Sequence, residues 1–229
     1  MDSMRLRLFY SVQRALAVFL LATFGLLCWR EAAAAEAPDE LVRRISSQVV
    51  DIARTDEAVL RGNQQRILAL VRQHLLPHID FERMTSLAVG RYWRNATPQQ
   101  RDRLTEEFRD LLVHVYSGAI AQVKDKKLVF KPLRGDPRSG EVIVRSEVIQ
   151  KSGAEPIELN YRLASGPSGW KIYDVSVLDV WLVQSYRGTF ASEIGRDGID
   201  GLIRTLDAKN AQLASKSRVT TKESTASGS

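Results

Sequence analysis

Hydrophobic positions along the chain recur with a helical period at both ends and with a period of two in the middle. After Pro38, Val42, Ile45, Val49 and Ile52 follow helical spacing, and Ile67, Leu68, Val71 and Leu75 do so between Asn63, a candidate N-cap, and Pro77, which ends the run. Asp80 is placed to cap a short third helix carrying Phe81, Met84 and Leu87, stopped by Gly90. Thr97-Pro98-Gln99-Gln100 has a capping Thr, a Pro at the first helical position and a Gln three residues after the cap, so a long helix is predicted to start there. Leu104, Phe108, Leu111, Val115, Ala119 and Val123 continue it as one apolar stripe, widened by Leu112, Tyr116 and Ile120. Lys124, Lys126 and Lys127 are assigned to its C-terminal end, where the helix dipole favours cations.

From Leu128 the period changes. Leu128 to Leu133, Glu141 to Ile149, Ile157 to Leu163 and Trp170 to Val177 are β-rich, with Lys151-Ser152-Gly153 and Ser165-Gly166-Pro167-Ser168-Gly169 as turns. Four consecutive strands with short connections predict an antiparallel four-stranded meander. Ile157, Leu159, Tyr161 and Leu163 point to one side, opposite Glu158, Asn160 and Arg162, and Tyr173, Val175 and Val177 are predicted to extend the apolar side. That face needs a cover, and the flanking helices supply it. After Val180 helical spacing returns through Leu182, Val183, Tyr186, Phe190 and Ile194 as far as Gly195, then through Ile199, Leu202, Ile203 and Leu206. Helices, then strands, then helices define an α+β class.

The first 35 residues have a different layout. Arg5, Arg7 and Arg14 precede a charge-free, mainly apolar run from Ala15 to Trp29, and the small residues Ala32 to Ala35 follow Arg30 and Glu31. This is the arrangement of a cleavable secretory signal, and the run is shorter than the roughly 20 apolar residues of a membrane span. Cleavage after Ala35 would leave Glu36 as the N-terminus. The single cysteine, Cys28, lies inside the run after Leu27, where lipidation would want a small residue, so neither a disulfide framework nor a lipid anchor is expected. Residues 36–210 form one domain, and the Ser-, Thr- and Lys-rich stretch 211–229 reads as a disordered tail.

The net charge of +6 and pI of about 9.6 suggest an affinity for nucleic acid until the charge is located. Four basic residues lie before residue 36 and four after residue 207, leaving 25 basic and 24 acidic side chains between them. A nearly neutral body lacks the clustered basic face that nucleic acid demands. Catalytic equipment is equally thin. His74 and His78 are four residues apart but separated by the helix-ending Pro77, and His114 has no adjacent carboxylate. There is no nucleophile elbow, zinc-protease motif, P-loop or dinucleotide fingerprint. No catalytic residue, metal or cofactor is assigned, and the chain is read as a non-enzyme.

Five stretches in order resemble the MlaC family, also called the toluene-tolerance or Ttg2-type auxiliary family. They are Leu75-Leu76-Pro77 with Asp80-Phe81; Val89-Gly90-Arg91-Tyr92-Trp93; Ala96-Thr97-Pro98-Gln99-Gln100-Arg101; Trp170 with Tyr173-Asp174-Val175; and Gly198-Ile199-Asp200-Gly201-Leu202. The resemblance implies a cone-like sheet of the nuclear-transport-factor-2 type wrapped by six or seven helices, enclosing an apolar cavity that holds phospholipid acyl chains as cargo. It also implies a periplasmic carrier that maintains outer-membrane lipid asymmetry, passing lipid between an outer-membrane lipoprotein–porin complex and an inner-membrane ABC transporter with its periplasmic substrate-binding subunit. Tyr116, Ile157 and Val180 match cavity positions of the family. Together with the alternating face and the helix that follows it, the candidate lipid-binding set is Tyr116, Ile157, Leu159, Tyr161, Tyr173, Val175, Val177, Val180, Leu182 and Tyr186. The chain departs from the family at Leu178-Asp179-Val180-Trp181-Leu182, where Glu-Gly-Val-Ser-Leu is usual. Three alternatives remain: a carrier of hopanoid or another lipid, an isomerase or hydratase using Asp174 with Tyr161 or Tyr186, and a ligand-free adaptor with a solid core.

Overall fold

The computed structural model of the protein describes residues 36–119, 126–150 and 154–226, with side chains through Lys216. The predicted signal peptide, the stripe positions Ile120, Val123 and Lys124, and the turn at Lys151-Ser152-Gly153 lie outside the described residues. The unit that begins at Glu36 contains six α-helices among these residues: α1 Pro38–Thr55, α2 Glu57–Leu60, α3 Gln64–His74, α4 Phe81–Val89, α5 Pro98–Tyr116 and α6 Leu182–Ala226. The strands are β1 Lys127–Phe130, β2 Glu141–Ile149, β3 Ile157–Gly166, β4 Gly169–Val177 and β5 Val180–Trp181, an antiparallel sheet in sequence order. The α+β class and the meander follow the sequence pattern. The sheet has a fifth strand beyond the four predicted, because two residues are too few to show an alternation. None of the described helices is long and apolar enough to cross a membrane.

Three helix starts are set by the residues that their sequence predicts. Asn63 accepts from the Arg66 N–H, Asp80 from the Arg83 N–H, and Thr97 and Gln100 form a reciprocal capping box at α5. Lys127 opens β1 instead of ending a helix, since α5 stops at Tyr116. Helix α6 runs through Gly195 and breaks at Gly198, whose φ of 71° and ψ of −178° only glycine adopts easily. Helical backbone continues to Ala226, through residues whose polar composition predicts disorder.

The apolar core is three clusters. Leu104, Phe108, Phe190, Ile194 and Leu202 pack α5 against α6, with Phe108 edge-on to Phe190 at 5.0 Å between ring centroids. Leu41, Val42 and Ile45 of α1 cover Val142, Val144, Leu163 and Ile172 of the sheet. Ala53, Val59, Ile67 and Leu70 join α1, α2 and α3. The break in α6 ties the first cluster to the α5 cap, because Gln100 Nε2 donates to Asp200 Oδ1 at 2.8 Å.

Gly201 has no room for a side chain: a Cβ there would lie 2.3 Å from the Asp197 Cβ, an atom fixed by its own backbone. Gly201→Ala is therefore expected to lower unfolding stability by about 1–3 kcal/mol, the usual cost of overpacking. Urea denaturation followed by circular dichroism measures it, and a midpoint equal to wild type would contradict the packing described.

Candidate functional site

The sheet face toward the helices is set by a break in the alternation of β4. Leu163 pairs with Ile172 while Arg162 pairs with Asp174, so Tyr173 is an extra residue, a β-bulge. The bulge puts Ile172 on the same side as Val175, although the two are three residues apart. Tyr173, predicted to share that side, faces elsewhere. Its hydroxyl donates to Glu141 Oε2 at 3.1 Å, and the Arg83 guanidinium lies 4.1 Å over its ring and pairs with Glu141.

Between this face and the helices lie two apolar chambers. One, of about 230 Å³, is walled by Val71, Phe81, Met84, Leu112, Tyr116, Val177 and Leu182. The other, of about 200 Å³, is walled by Val42, Ile45, Val49, Leu128, Leu159, Tyr161 and Ile172. Both include Leu75, Ile79 and Val175, which form a shared partition. The segment carrying Leu75 and Ile79 is fixed to the sheet by a parallel bridge from Ile79 to Ile172 and by the Asp80 N–H donating to the Ile172 carbonyl at 2.8 Å. Together the chambers reach the lower range of ligand pockets, about 300–1,000 Å³.

The structure brings six of the ten predicted residues to these walls: Tyr116, Val175, Val177 and Leu182 in the first chamber, and Leu159, Tyr161 and again Val175 in the second. Four are elsewhere. Ile157 opens β3 and lines neither chamber, Tyr173 sits in the bulge, and Val180 is 60% exposed beyond the β4–β5 turn. Tyr186 packs edge-on to Phe108 at 4.9 Å, behind the wall. The walls from α1, α3 and the Leu75–Ile79 segment were missed, because a helix stripe looks the same whether it meets a core or a cavity.

Hydroxyls edge the chambers without charging them. The Tyr186 hydroxyl meets that of Tyr116 and is pushed up to about 12 by burial and by its neighbour, so both remain neutral. Burial likewise raises Tyr161, whose hydroxyl bonds to those of Ser146 and Ser46. Gln64 Nε2 donates to the Ser117 hydroxyl at 2.6 Å.

Asp174 lies on the other side of the sheet. Its carboxylate accepts from the Val183 N–H at 3.1 Å and the Val175 N–H at 2.9 Å, and pairs with Arg162 at 3.3 Å. Burial pushes it up, opposed by these partners. The acid-and-base pair required for an isomerase therefore has Asp174 and Tyr161 on opposite faces. His114 Nδ1 lies 2.7 Å from the Asp110 carbonyl, and among the described residues no cluster of His, Cys, Asp and Glu is able to hold a metal.

A model of the MlaC protein family matches residues 43–208. The intermembrane phospholipid transport system binding protein MlaC of Haemophilus influenzae is 24% identical over 196 residues, covering 85% of this chain and 91% of that one. The toluene tolerance protein ttg2D of Pseudomonas putida is 25% identical over 206 residues, covering 89% and 92%. A phospholipid-binding protein from Ralstonia solanacearum, solved in complex with a phospholipid, is 37% identical with a TM-score of 0.72, covering 77% of this chain and 98% of that one.

Asp174 is 1% exposed and fastens the first turn of α6 to β4, so Asp174→Ala leaves the Val183 N–H and the Arg162 guanidinium without their acceptor. The expected loss is about 2–4 kcal/mol of stability, with a smaller loss for Asp174→Asn, which keeps one acceptor oxygen. Because the folded carboxyl is raised, it holds its proton more tightly than the unfolded one, and its contribution declines as pH rises from about 4. The advantage of Asp over Asn is thus expected to be largest at acid pH. Denaturation midpoints across that range measure both effects.

Proposed function

The chain belongs to the MlaC family, and from that membership we propose that it is a phospholipid-binding transport component of an Mla system, with one acyl chain in each chamber. The observation that carries the reading is the divided apolar cavity. Its walls are nearly all aliphatic, which suits methylene chains, and the partition of Leu75, Ile79 and Val175 suits two chains diverging from one glycerol. The phospholipid complex of the Ralstonia relative and the transport name of the Haemophilus relative support the cargo and the role.

The energetics determine how such a carrier works. Each buried methylene is worth about 0.8 kcal/mol, so a 16-carbon chain resists release into water by roughly 12 kcal/mol. Spontaneous escape is too slow for transport, and the carrier exchanges lipid by direct contact. We assign that contact to an inner-membrane ABC transporter with its periplasmic subunit on one side and an outer-membrane lipoprotein–porin complex on the other. The signal layout of residues 1–35 supports a periplasmic location, where two membranes face each other across water. No step requires bond chemistry, in keeping with a carrier and not an enzyme.

Mass spectrometry of lipid extracted from the native protein is expected to recover phospholipid in stoichiometric amount. Val175→Glu places a carboxylate where both chambers meet, and a charge there is costly to apolar chains. It is expected to abolish recovery while circular dichroism stays native. Undiminished phospholipid in Val175→Glu would remove the chambers as the binding site, and a polycyclic lipid in their place would redirect the cargo.

A further inference from the structure

A third cavity, of about 290 Å³, lies between α1 and the start of β1 and has a different chemistry. Arg43, Arg54, Lys126 and Lys127 line it against a single carboxylate, Asp51. In a body with 25 basic and 24 acidic residues, four cations against one anion is a local concentration of charge. Two of the cations are held in place. The Arg43 guanidinium lies 4.7 Å over the Phe130 ring, and Arg54 Nη2 donates to the Lys126 carbonyl at 3.4 Å, tying α1 to the segment that carries both lysines.

The cleft adjoins the second chamber. Ser46, Val50 and Leu128 belong to the walls of both. Across this junction the lining changes from aliphatic side chains, through the Ser46 and Tyr161 hydroxyls, to guanidinium and ammonium groups. That sequence of environments matches a molecule with an apolar chain, an ester region and an anionic head.

We propose that this cleft is the head-group subsite of the carrier, that it takes the lipid phosphate, and that it makes the protein prefer phospholipids of net negative charge over zwitterionic ones. The inference rests on the carrier reading and deepens it. Guanidinium and ammonium donors are matched to phosphate oxygens, and the surplus positive charge disfavours the quaternary ammonium that a choline head would bring. Free phosphate has the same donor requirements, so the test must separate the two sources.

Lipid-stripped protein is incubated with vesicles of equimolar phosphatidylglycerol and phosphatidylcholine of identical chains, and the acquired lipid is quantified by mass spectrometry. Wild type is expected to acquire phosphatidylglycerol in roughly three- to ten-fold excess, an excess that shrinks in about 0.5 M salt. In the double variant Lys126→Glu with Lys127→Glu the ratio is expected to fall to unity or below, with total lipid per protein unchanged. Lys126→Gln with Lys127→Gln, which perturbs β1 less, serves if the first variant loses its native circular dichroism, and is expected to give an intermediate ratio. A wild-type ratio of one, or an excess that survives both variants, overturns the subsite. Calorimetric binding of inorganic phosphate, lost in the variants but without any lipid preference, reassigns the cleft and overturns it as well. Failure of wild type to acquire either lipid is a separate result, which refutes the carrier reading itself.

Discussion

Both faces of the last long strand turn on the carboxylate of Asp174. The bulge at Tyr173 lets Asp174 point to the outer side while Ile172 and Val175 both point inward. The inward pair then walls the chambers, and Asp174 receives the first turn of α6 through the Val183 N–H. A carboxylate at a helix N-terminus complements the partial positive charge there. Because α6 supplies Leu182 to the first chamber and Phe190, Ile194 and Leu202 to the adjoining core, the position of that helix decides both cavity and core. The pair with Arg162 and the two N–H groups repay the desolvation of a carboxylate that burial otherwise penalises.

A core divided into three clusters is a costly way to fold a domain of this size. Void volume inside proteins weakens stability by about 24 cal/mol per Å³, so a chamber of about 230 Å³ left empty would cost roughly 5 kcal/mol. What keeps the space open is the placement of rigid segments around it. The Asp80-to-Ile172 hydrogen bond holds Leu75 and Ile79 away from the sheet edge, and the Thr97–Gln100 capping box with the Gln100–Asp200 bond holds α5 to the far part of α6. An acyl chain in the chamber makes the contacts that a collapsed core would have made.

The sequence disclosed the scaffold far better than the cavity. The stretches that carry the family resemblance turn out to be joints. Gly198 and Gly201 allow the α6 break, Asp200 meets the α5 cap, and Arg101 donates to the Trp93 carbonyl at 3.1 Å while stacking over that ring. Such residues are distinctive because backbone geometry and hydrogen bonding leave few substitutes. Chamber walls need only be apolar, so Val42, Val71 and Met84 resembled ordinary core, and nothing in their pattern announced a void. Strict alternation placed Leu159, Tyr161, Val175 and Val177 correctly on the inner face and failed at Tyr173, because a bulge leaves no trace in a period of two. Val180 was misjudged for another reason: after a two-residue turn the chain has left the covered part of the sheet.

That turn also explains how the chain tolerates its departure from the family pattern. Leu178 and Asp179 both take left-handed φ, 50° and 62°, where a glycine would be at ease. A leucine in that conformation costs about 1–2 kcal/mol, and aspartate somewhat less. The second departure supplies the compensation. Trp181 pairs with Ser176, on the outer side of the sheet, and the Arg162 guanidinium lies 3.8 Å over its ring, a contact worth about 0.5–2 kcal/mol. A small serine would have left Arg162 without that stack. The bulky residue thus points away from the chambers and fixes the strained hairpin to the Arg162–Asp174 pair, so the two departures act together on the joint and leave the cavity walls to Val175, Val177 and Leu182.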